Sequence, residues 1–329
     1  MREPDWIPIP LPVDETLDGY RLDRFIHARI PRLSRTAIQR FIAGGQVRRP
    51  SGPLLRASTR VHAGEVVTLM RPAPKEPPVP LRYDVLHQDD ALMVVDKPAG
   101  LPVHPSASYH RHTLTAVMRT RLGADHGWQM AHRLDRETSG VMVFGRKGAS
   151  SGVLKRAFAA REVEKRYLAI VHGTVCDSID IDAPLASDPA SEVRVKMGVV
   201  PLVAGGAVAQ TRVVPLRTAT FRGEPVTLVS LRPRTGRQHQ LRIHLAHIGH
   251  GIVGDKLYGL DERWFIEVVE DRLPMADLDA HLGLPRQALH AASLAIDHPA
   301  TGERVCFEAA WPPMLADIVP LPRDQSSVT

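Results

Sequence analysis

The chain has 329 residues, is 43% hydrophobic and carries a formal net charge of +6. This excludes wholesale disorder and, with a pI of about 9.6, makes polyanions the natural partners. Two cysteines far apart in sequence, Cys176 and Cys306, exclude a disulfide framework and a cysteine zinc site. No apolar run reaches the roughly 18–20 residues of a membrane span. The start, Met1-Arg2-Glu3-Pro4-Asp5, lacks the apolar stretch of a secretory signal, so a cytoplasmic protein is expected.

Residues 1–18 are proline-rich and acidic and read as an extended tail. Leu22, Phe25, Ile26 and Ile30 then recur at helical spacing, and Pro31 interrupts the run. Ser34 is placed to cap a second helix carrying Ala37, Ile38, Phe41 and Ile42, closed by Gly44-Gly45. Gln46-Val47 and Val66–Leu69 read as short strands around a Pro50-Ser51-Gly52-Pro53 turn. Between residues 20 and 62, Arg21, Arg24, Arg29, Arg32, Arg35, Arg40, Arg48, Arg49, Arg56 and Arg60 face the single acid Asp23. The apolar stripe takes one helix face and leaves the guanidiniums on the others. Arginine without lysine or balancing acid favours phosphate binding over an ordinary solvated face, and Arg35 and Arg40 are singled out as RNA contacts. Repeated proline over 72–82 marks a stiff linker.

From residue 83 to 320, strands are predicted at Ala91–Val95, Val141–Phe144, Tyr167–Val171, Val226–Leu231, His290–Ile296 and Arg304–Glu308. Helices are predicted at Thr113–Leu122, Ser150–Glu162 and Gln238–Ile248, with a mixed helical stretch over 261–287 and a polar tail at 321–329. Strands and helices do not alternate regularly. The pattern therefore favours an α+β domain with a largely antiparallel mixed sheet and a central cleft over a doubly wound one.

The densest chemistry lies in His132-Arg133-Leu134-Asp135-Arg136-Glu137-Thr138-Ser139-Gly140, a charged loop feeding an apolar strand. Loops held by a rigid sheet commonly carry catalytic groups. Flanking Arg133 and Arg136 favour the charged carboxylate that a nucleophile or base requires. On local chemistry alone, a turn aspartate paired with its neighbours fits equally well.

His132-Arg133-Leu134-Asp135 followed by Thr138-Ser139-Gly140 resembles the signature of the RluA-type pseudouridine synthases. Asp96-Lys97-Pro98-Ala99-Gly100-Leu101-Pro102-Val103-His104-Pro105, Lys165-Arg166-Tyr167-Leu168-Ala169, Arg234–His244, Gly254–Gly259, Leu289-His290-Ala291 and His298-Pro299 resemble further family segments, in the family's order. The resemblance spans about residues 83–313. Residues 19–71, through Arg21-Leu22-Asp23, Leu33-Ser34-Arg35, Ile42 and Gly45-Gln46-Val47, resemble the α-L RNA-binding module of a ribosomal protein. Gln238 and Gly251 depart from the usual family residues, and neither replaces a catalytic group.

This resemblance implies an enzyme that isomerises specific uridines of structured RNA to pseudouridine, without cofactor or metal. It assigns Asp135 as the essential carboxylate, attacking either the uracil ring or the anomeric carbon. Tyr167 stacks on the flipped base, and Arg242 pairs with Asp135. Arg133 fills the gap left in the RNA, with Arg136 and His132 as further substrate contacts. Large-subunit ribosomal RNA is the first expectation for the partner and transfer RNA the second, acted on by a monomer. The alternative from another class is a non-catalytic RNA-binding or ribosome-assembly factor. His244, His247 and His250 lack the HExxH arrangement of a metal site. His247-Ile248-Gly249-His250 matches an aminoacyl-tRNA synthetase tetrapeptide without its nucleotide-binding context.

Overall fold

The computed structural model describes residues 6–49, 55–72, 76–106, 109–193, 195–259, 261–270 and 272–322. The Pro50-Ser51-Gly52-Pro53 turn and nearly all of the 321–329 tail lie outside them. The chain divides into two compact units, Met1–Pro77 and Pro78–Thr329.

In the first unit, β1 (Trp6–Pro12), α1 (Leu22–Arg29), α2 (Arg35–Ala43), β2 (Val47–Arg48) and β3 (Val66–Pro72) follow in order. The strands form an antiparallel sheet ordered β1-β3-β2. β1 corrects the expectation of a tail over residues 1–18. Its prolines, Pro8, Pro10 and Pro12, fall on alternate positions, so the missing N–H groups share the open edge and Ile7, Ile9 and Leu11 keep theirs for β3. Ser34 caps α2 as expected, its Oγ accepting the Ala37 N–H at 3.2 Å. Leu22, Phe25, Ile26, Ile38, Ile42, Val61 and Val67 close the core.

In the second unit the elements are β4 (Asp84–Gln88), β5 (Leu92–Lys97), α3 (Leu114–Leu122), β6 (Trp128–Met130), β7 (Ser139–Arg146), α4 (Ala149–Ala160), β8 (Glu164–His172), β9 (Ile179–Asp182), β10 (Leu185–Ser187), β11 (Met197–Val199), β12 (Gln210–Phe221), β13 (Glu224–Pro233), α5 (Gln240–His247), α6 (Arg263–Val269), α7 (Met275–Leu282), β14 (Leu289–Asp297), β15 (Arg304–Glu308) and α8 (Pro313–Ala316). Among the described residues, ten strands form one sheet ordered β4-β5-β7-β14-β8-β13-β12-β9, with β15 on β14 and β6 on β7. The β7–β14 pair is parallel and the other described pairs are antiparallel. The expected α+β class with a largely antiparallel mixed sheet is therefore observed.

Both faces of the sheet centre are covered, which is why its strands read as unbroken apolar runs. Met142 and Phe144 of β7 pack with Leu114 and Met118 of α3, whereas Val141 and Val143 pack with Leu154 of α4. β12 escaped sequence reading because Pro215 looks like a strand breaker. The chain accommodates it where the β12–β13 register shifts, between Pro215 and Arg217.

Two glycines fix the architecture around the site. Gly140 opens β7 at φ +112, and a Cβ there would lie 2.1 Å from the Ala291 carbonyl oxygen of β14. Gly254 has φ +78, with the Arg286 carbonyl oxygen 2.1 Å from its notional Cβ. Only glycine tolerates both the backbone angle and the contact.

Candidate active site

The loop between β6 and β7 carries Asp135, and buried groups below it fix its path. Lys97, at the end of β5, is fully buried and donates to the carbonyl oxygens of Pro98 (2.8 Å), Leu101 (2.9 Å) and Arg136 (3.0 Å). Burial, followed by the charge of Arg286, lowers its pKa to about 7. Thr138 accepts from Gln287 Nε2 at 2.7 Å. Ser139 Oγ lies 2.8 Å from His290 Nδ1 and accepts from Arg286 at 3.0 Å. Glu137 receives Lys256 Nζ at 2.8 Å. Arg136, Glu137, Thr138 and Ser139 are all tethered after it, and Asp135 faces the opening.

Arg242 on α5 meets that carboxylate, its Nη1 donating to Asp135 Oδ2 at 3.1 Å. Its other edge grips Asp255 in a two-pronged pair, Nε to Oδ2 at 2.6 Å and Nη2 to Oδ1 at 2.9 Å. Asp255 is 1% exposed, and the Leu257 and Tyr258 amides donate to it at 2.9 and 3.0 Å. Burial opposes the charge on Arg242, but the Asp255 carboxylate and, after it, Asp135 outweigh that and move its pKa up. Burial likewise pushes Asp255 up, and Arg242 more than reverses it. The guanidinium, 9% exposed, is thus locked by one aspartate and offered to the other. α5 is buried on all sides from Gln240 to Leu245, and ion pairing is what permits a charge there.

A cleft of about 190 Å³ opens over this pair, lined among others by Arg133, Asp135, Lys165, Tyr167, Arg237, His239 and Arg242. Pockets that enclose drug-sized ligands run to roughly 300–1,000 Å³, so this one suits a single nucleobase and its sugar. Tyr167 reaches it from β8, opposite Leu231 of β13 and Ala291 of β14. Burial, then the charge of Asp135, raises the pKa of its phenol, so the ring stays neutral.

The structure brings Asp135, Tyr167, Arg242 and Arg133 together around the cleft. His132 does not line the cleft. Its ring stacks on Phe158 at 4.5 Å and its Nε2 accepts the Val143 N–H at 3.1 Å. That acceptor role needs a neutral ring, and burial followed by the charge of Lys165 lowers its pKa to about 3. Arg136 is also turned to support, donating to Tyr109 Oη at 2.7 Å and Glu137 Oε1 at 2.9 Å. Both brace the loop, and neither lines the cleft. Arg35 and Arg40 lie exposed in the first unit, Arg35 at 3.5 Å from Asp23. Nor do the guanidiniums flanking Asp135 supply its partner: among the described residues its charged partner is Arg242, with the His239 ring 4.0 Å from its other oxygen.

Sequence reasoning gave no role to Asp255, His239 or Tyr258. The clue for Asp255 was its place directly after Gly254, a glycine that builds the turn. Tyr258 lies under the Arg242 guanidinium at 4.9 Å.

The profile of a family described as RNA pseudouridylate synthase matches residues 91–247. The ribosomal large subunit pseudouridine synthase D of Zymomonas mobilis is 34% identical over 91% of this chain and 92% of its own length. An uncharacterized RNA pseudouridine synthase of Chloroflexus aurantiacus is 36% identical over 96% of this chain and 94% of its own. Among solved structures, human RNA pseudouridylate synthase domain containing 1 aligns with a TM-score of 0.56 and 26% identity, covering 73% of this chain and 89% of that one. The chain belongs to the RluA-type RNA pseudouridine synthases. It is accordingly an isomerase that acts on uridine in RNA.

Proposed function

We propose that Asp135 is the catalytic carboxylate and that large-subunit ribosomal RNA is the substrate. The observation that carries the site is the Asp255–Arg242–Asp135 chain, with bonds of 2.6 and 3.1 Å. It aims one carboxylate oxygen and leaves the other open to a cleft. In this reading Asp135 attacks the target nucleotide and Arg242 orients it. Tyr167 supports the extruded uracil by stacking, a contact worth roughly 1–3 kcal/mol. Chemistry on a base requires its removal from the helix, and exposed Arg133 fills the space left behind. The base detaches, turns and rejoins through carbon 5, with no redox or phosphoryl step.

The first unit is the RNA anchor. Its α1–α2 pair and small sheet suit the α-L module, and Arg24, Arg32, Arg40, Arg48 and Arg56 are exposed on it. Phosphate contacts of this type hold RNA without reading sequence. The ribosomal assignment is supported by relatives such as those of Zymomonas mobilis and Pseudomonas aeruginosa, both named for the large ribosomal subunit. A cytoplasmic monomer fits two free cysteines, Cys176 and Cys306.

Pseudouridine mapping in total RNA from a deletion strain tests this proposal, with complementation by wild-type or Asp135→Asn protein. Loss at defined large-subunit positions, restored by the wild type alone, is the expected result. Loss confined to transfer RNA overturns the substrate, and restoration by the variant overturns the site.

A further inference from the structure

His239 is a half-buried titratable group in the cleft for which the reading above has no use. It stands immediately before α5 with φ +55, one of three non-glycine residues at positive φ among those described. The left-handed region is unfavourable for a residue with a side chain. The backbone there turns the imidazole back toward Asp135.

Its hydrogen bonds fix the tautomer. Nδ1 lies 2.8 Å from Tyr258 Oη. That oxygen already accepts the Met197 N–H at 3.1 Å. Tyr258 is 6% exposed, so its own hydrogen needs a protein acceptor, and His239 Nδ1 is in place. Nδ1 therefore accepts and Nε2 carries the ring hydrogen. Burial, then the neighbouring Arg242 charge, lowers the imidazole pKa to about 4; Asp135 and Asp255 oppose that shift and Arg133 adds to it. At neutral pH the ring is uncharged, with one N–H to offer.

That N–H points at Asp135 Oδ1 from 4.0 Å, too far for a direct hydrogen bond. Oδ2 is taken by Arg242. A donor and an acceptor at this separation, both lining the cleft, match one kind of group: a hydroxyl, which accepts from one and donates to the other. A carbonyl would meet the carboxylate oxygen unfavourably, and a hydrogen would leave both polar atoms unpaired. Nucleotides of RNA carry such a group where DNA does not.

We propose that His239 and Asp135 together hold the ribose 2′-hydroxyl of the target nucleotide. His239 Nε2–H donates to its oxygen and one lone pair of Asp135 Oδ1 accepts its hydrogen, the other staying free for attack, so His239 determines the preference for ribo- over deoxyuridine. The inference rests on Asp135 being the catalytic carboxylate.

The test uses the full chain and a synthetic RNA bearing one uridine that the wild type converts, made with ribose or with 2′-deoxyribose at that position alone. Single-turnover rates at saturating enzyme are measured for wild type, His239→Asn, Tyr258→Phe and Asp135→Asn, together with RNA affinity and melting temperature. Asparagine suits φ +55 and ends short of the cleft; the strain relieved offsets the acceptor lost to Tyr258, so His239→Asn moves the melting temperature little. Its rate on the ribose substrate falls by on the order of 10–100-fold, while the deoxy substrate, already slow, changes little. The ribo/deoxy ratio therefore drops by on the order of 10–100-fold, the size of a lost hydrogen bond to an otherwise unpaired buried group. Tyr258→Phe keeps the ring beneath Arg242, frees the tautomer and shows a smaller drop. An unchanged ratio in His239→Asn, with Asp135→Asn inactive, overturns this inference alone. Turnover by Asp135→Asn overturns the reading it rests on. Parallel losses of melting temperature, affinity and both rates mark His239 as structural and also overturn the proposal.

Discussion

The tetrapeptide Arg-Leu-Asp-Arg occurs twice, at residues 21–24 and 133–136, and its two aspartates have opposite fates. Asp23 opens a helix with a fully buried side chain. Arg21 grips both of its oxygens at 3.1 Å, the Arg24 amide donates at 3.0 Å and Gln39 at 3.4 Å. Hydrogen bonds from Arg21 lower its pKa against the opposing effect of burial. Asp135 keeps a side chain 24% exposed, held on one oxygen by an arginine from a distant helix. Flanking charge therefore does not make an aspartate reactive. What matters is whether its lone pairs are spent locally or left facing a cleft.

The contrast breaks most sharply by substitution. Asp135→Asn is expected to lower turnover by at least about 10³-fold and to leave the melting temperature unchanged. Asp23→Ala is expected to do the reverse. Removing a buried carboxylate leaves its hydrogen-bond donors unpaired while Arg21, 38% exposed, stays solvated, a loss of roughly 1–3 kcal/mol, read as early unfolding of the first unit, with the single-turnover rate on bound RNA preserved. If Asp23→Ala abolished the chemical step, or Asp135→Asn unfolded the protein, the distinction would collapse.

Arg242→Lys sharpens it next. Lysine keeps the charge but cannot fork between Asp255 and Asp135. The rate is expected to fall about 10²-fold with RNA affinity held, and wild-type turnover would refute the bridging role.

Arg40→Glu gives a smaller effect, in the first unit. Arg35 is a poorer probe because it also touches Asp23. For Arg40→Glu, RNA affinity should weaken and the salt slope shrink by about 1, with melting unchanged. Equal affinity and slope would remove this residue from the RNA surface.

The last prediction is on stability against pH, and it concerns the second unit. His132, His239 and His290 have pKa values lowered to about 3, 4 and 4, each mainly by burial. The unfolded chain binds protons on them below about 6.5 while the folded chain does not. Stability should therefore fall as pH drops from about 6.5 toward 4, by at most about 1.4 kcal/mol per pH unit for each histidine. A denaturant midpoint flat between pH 7 and 4.5 would contradict this.

The repeated tetrapeptide also marks how far sequence reaches. Periodicity located most of the central strands and both helices of the first unit, because burial on one or two faces writes itself into residue order. The Thr138-Ser139-Gly140 run separates the second copy from the first. Its glycine is needed where β7 meets β14, and its hydroxyls are bound by Gln287, Arg286 and His290. The support shell was not legible. Asp255, Tyr258 and Met197 act on Asp135 through pairings between distant segments, which no local pattern encodes. The bracing bonds of His132 and Arg136 were illegible for a related reason: a charged loop has an inward side, and sequence does not say which residues take it.

The most direct measurement of the central claim is tritium release from RNA labelled at carbon 5 of uridine, comparing wild type with an Asp135→Asn variant shown to bind the same RNA. Release by the wild type and none above background by the variant is the predicted result. Equal release from both would contradict the account.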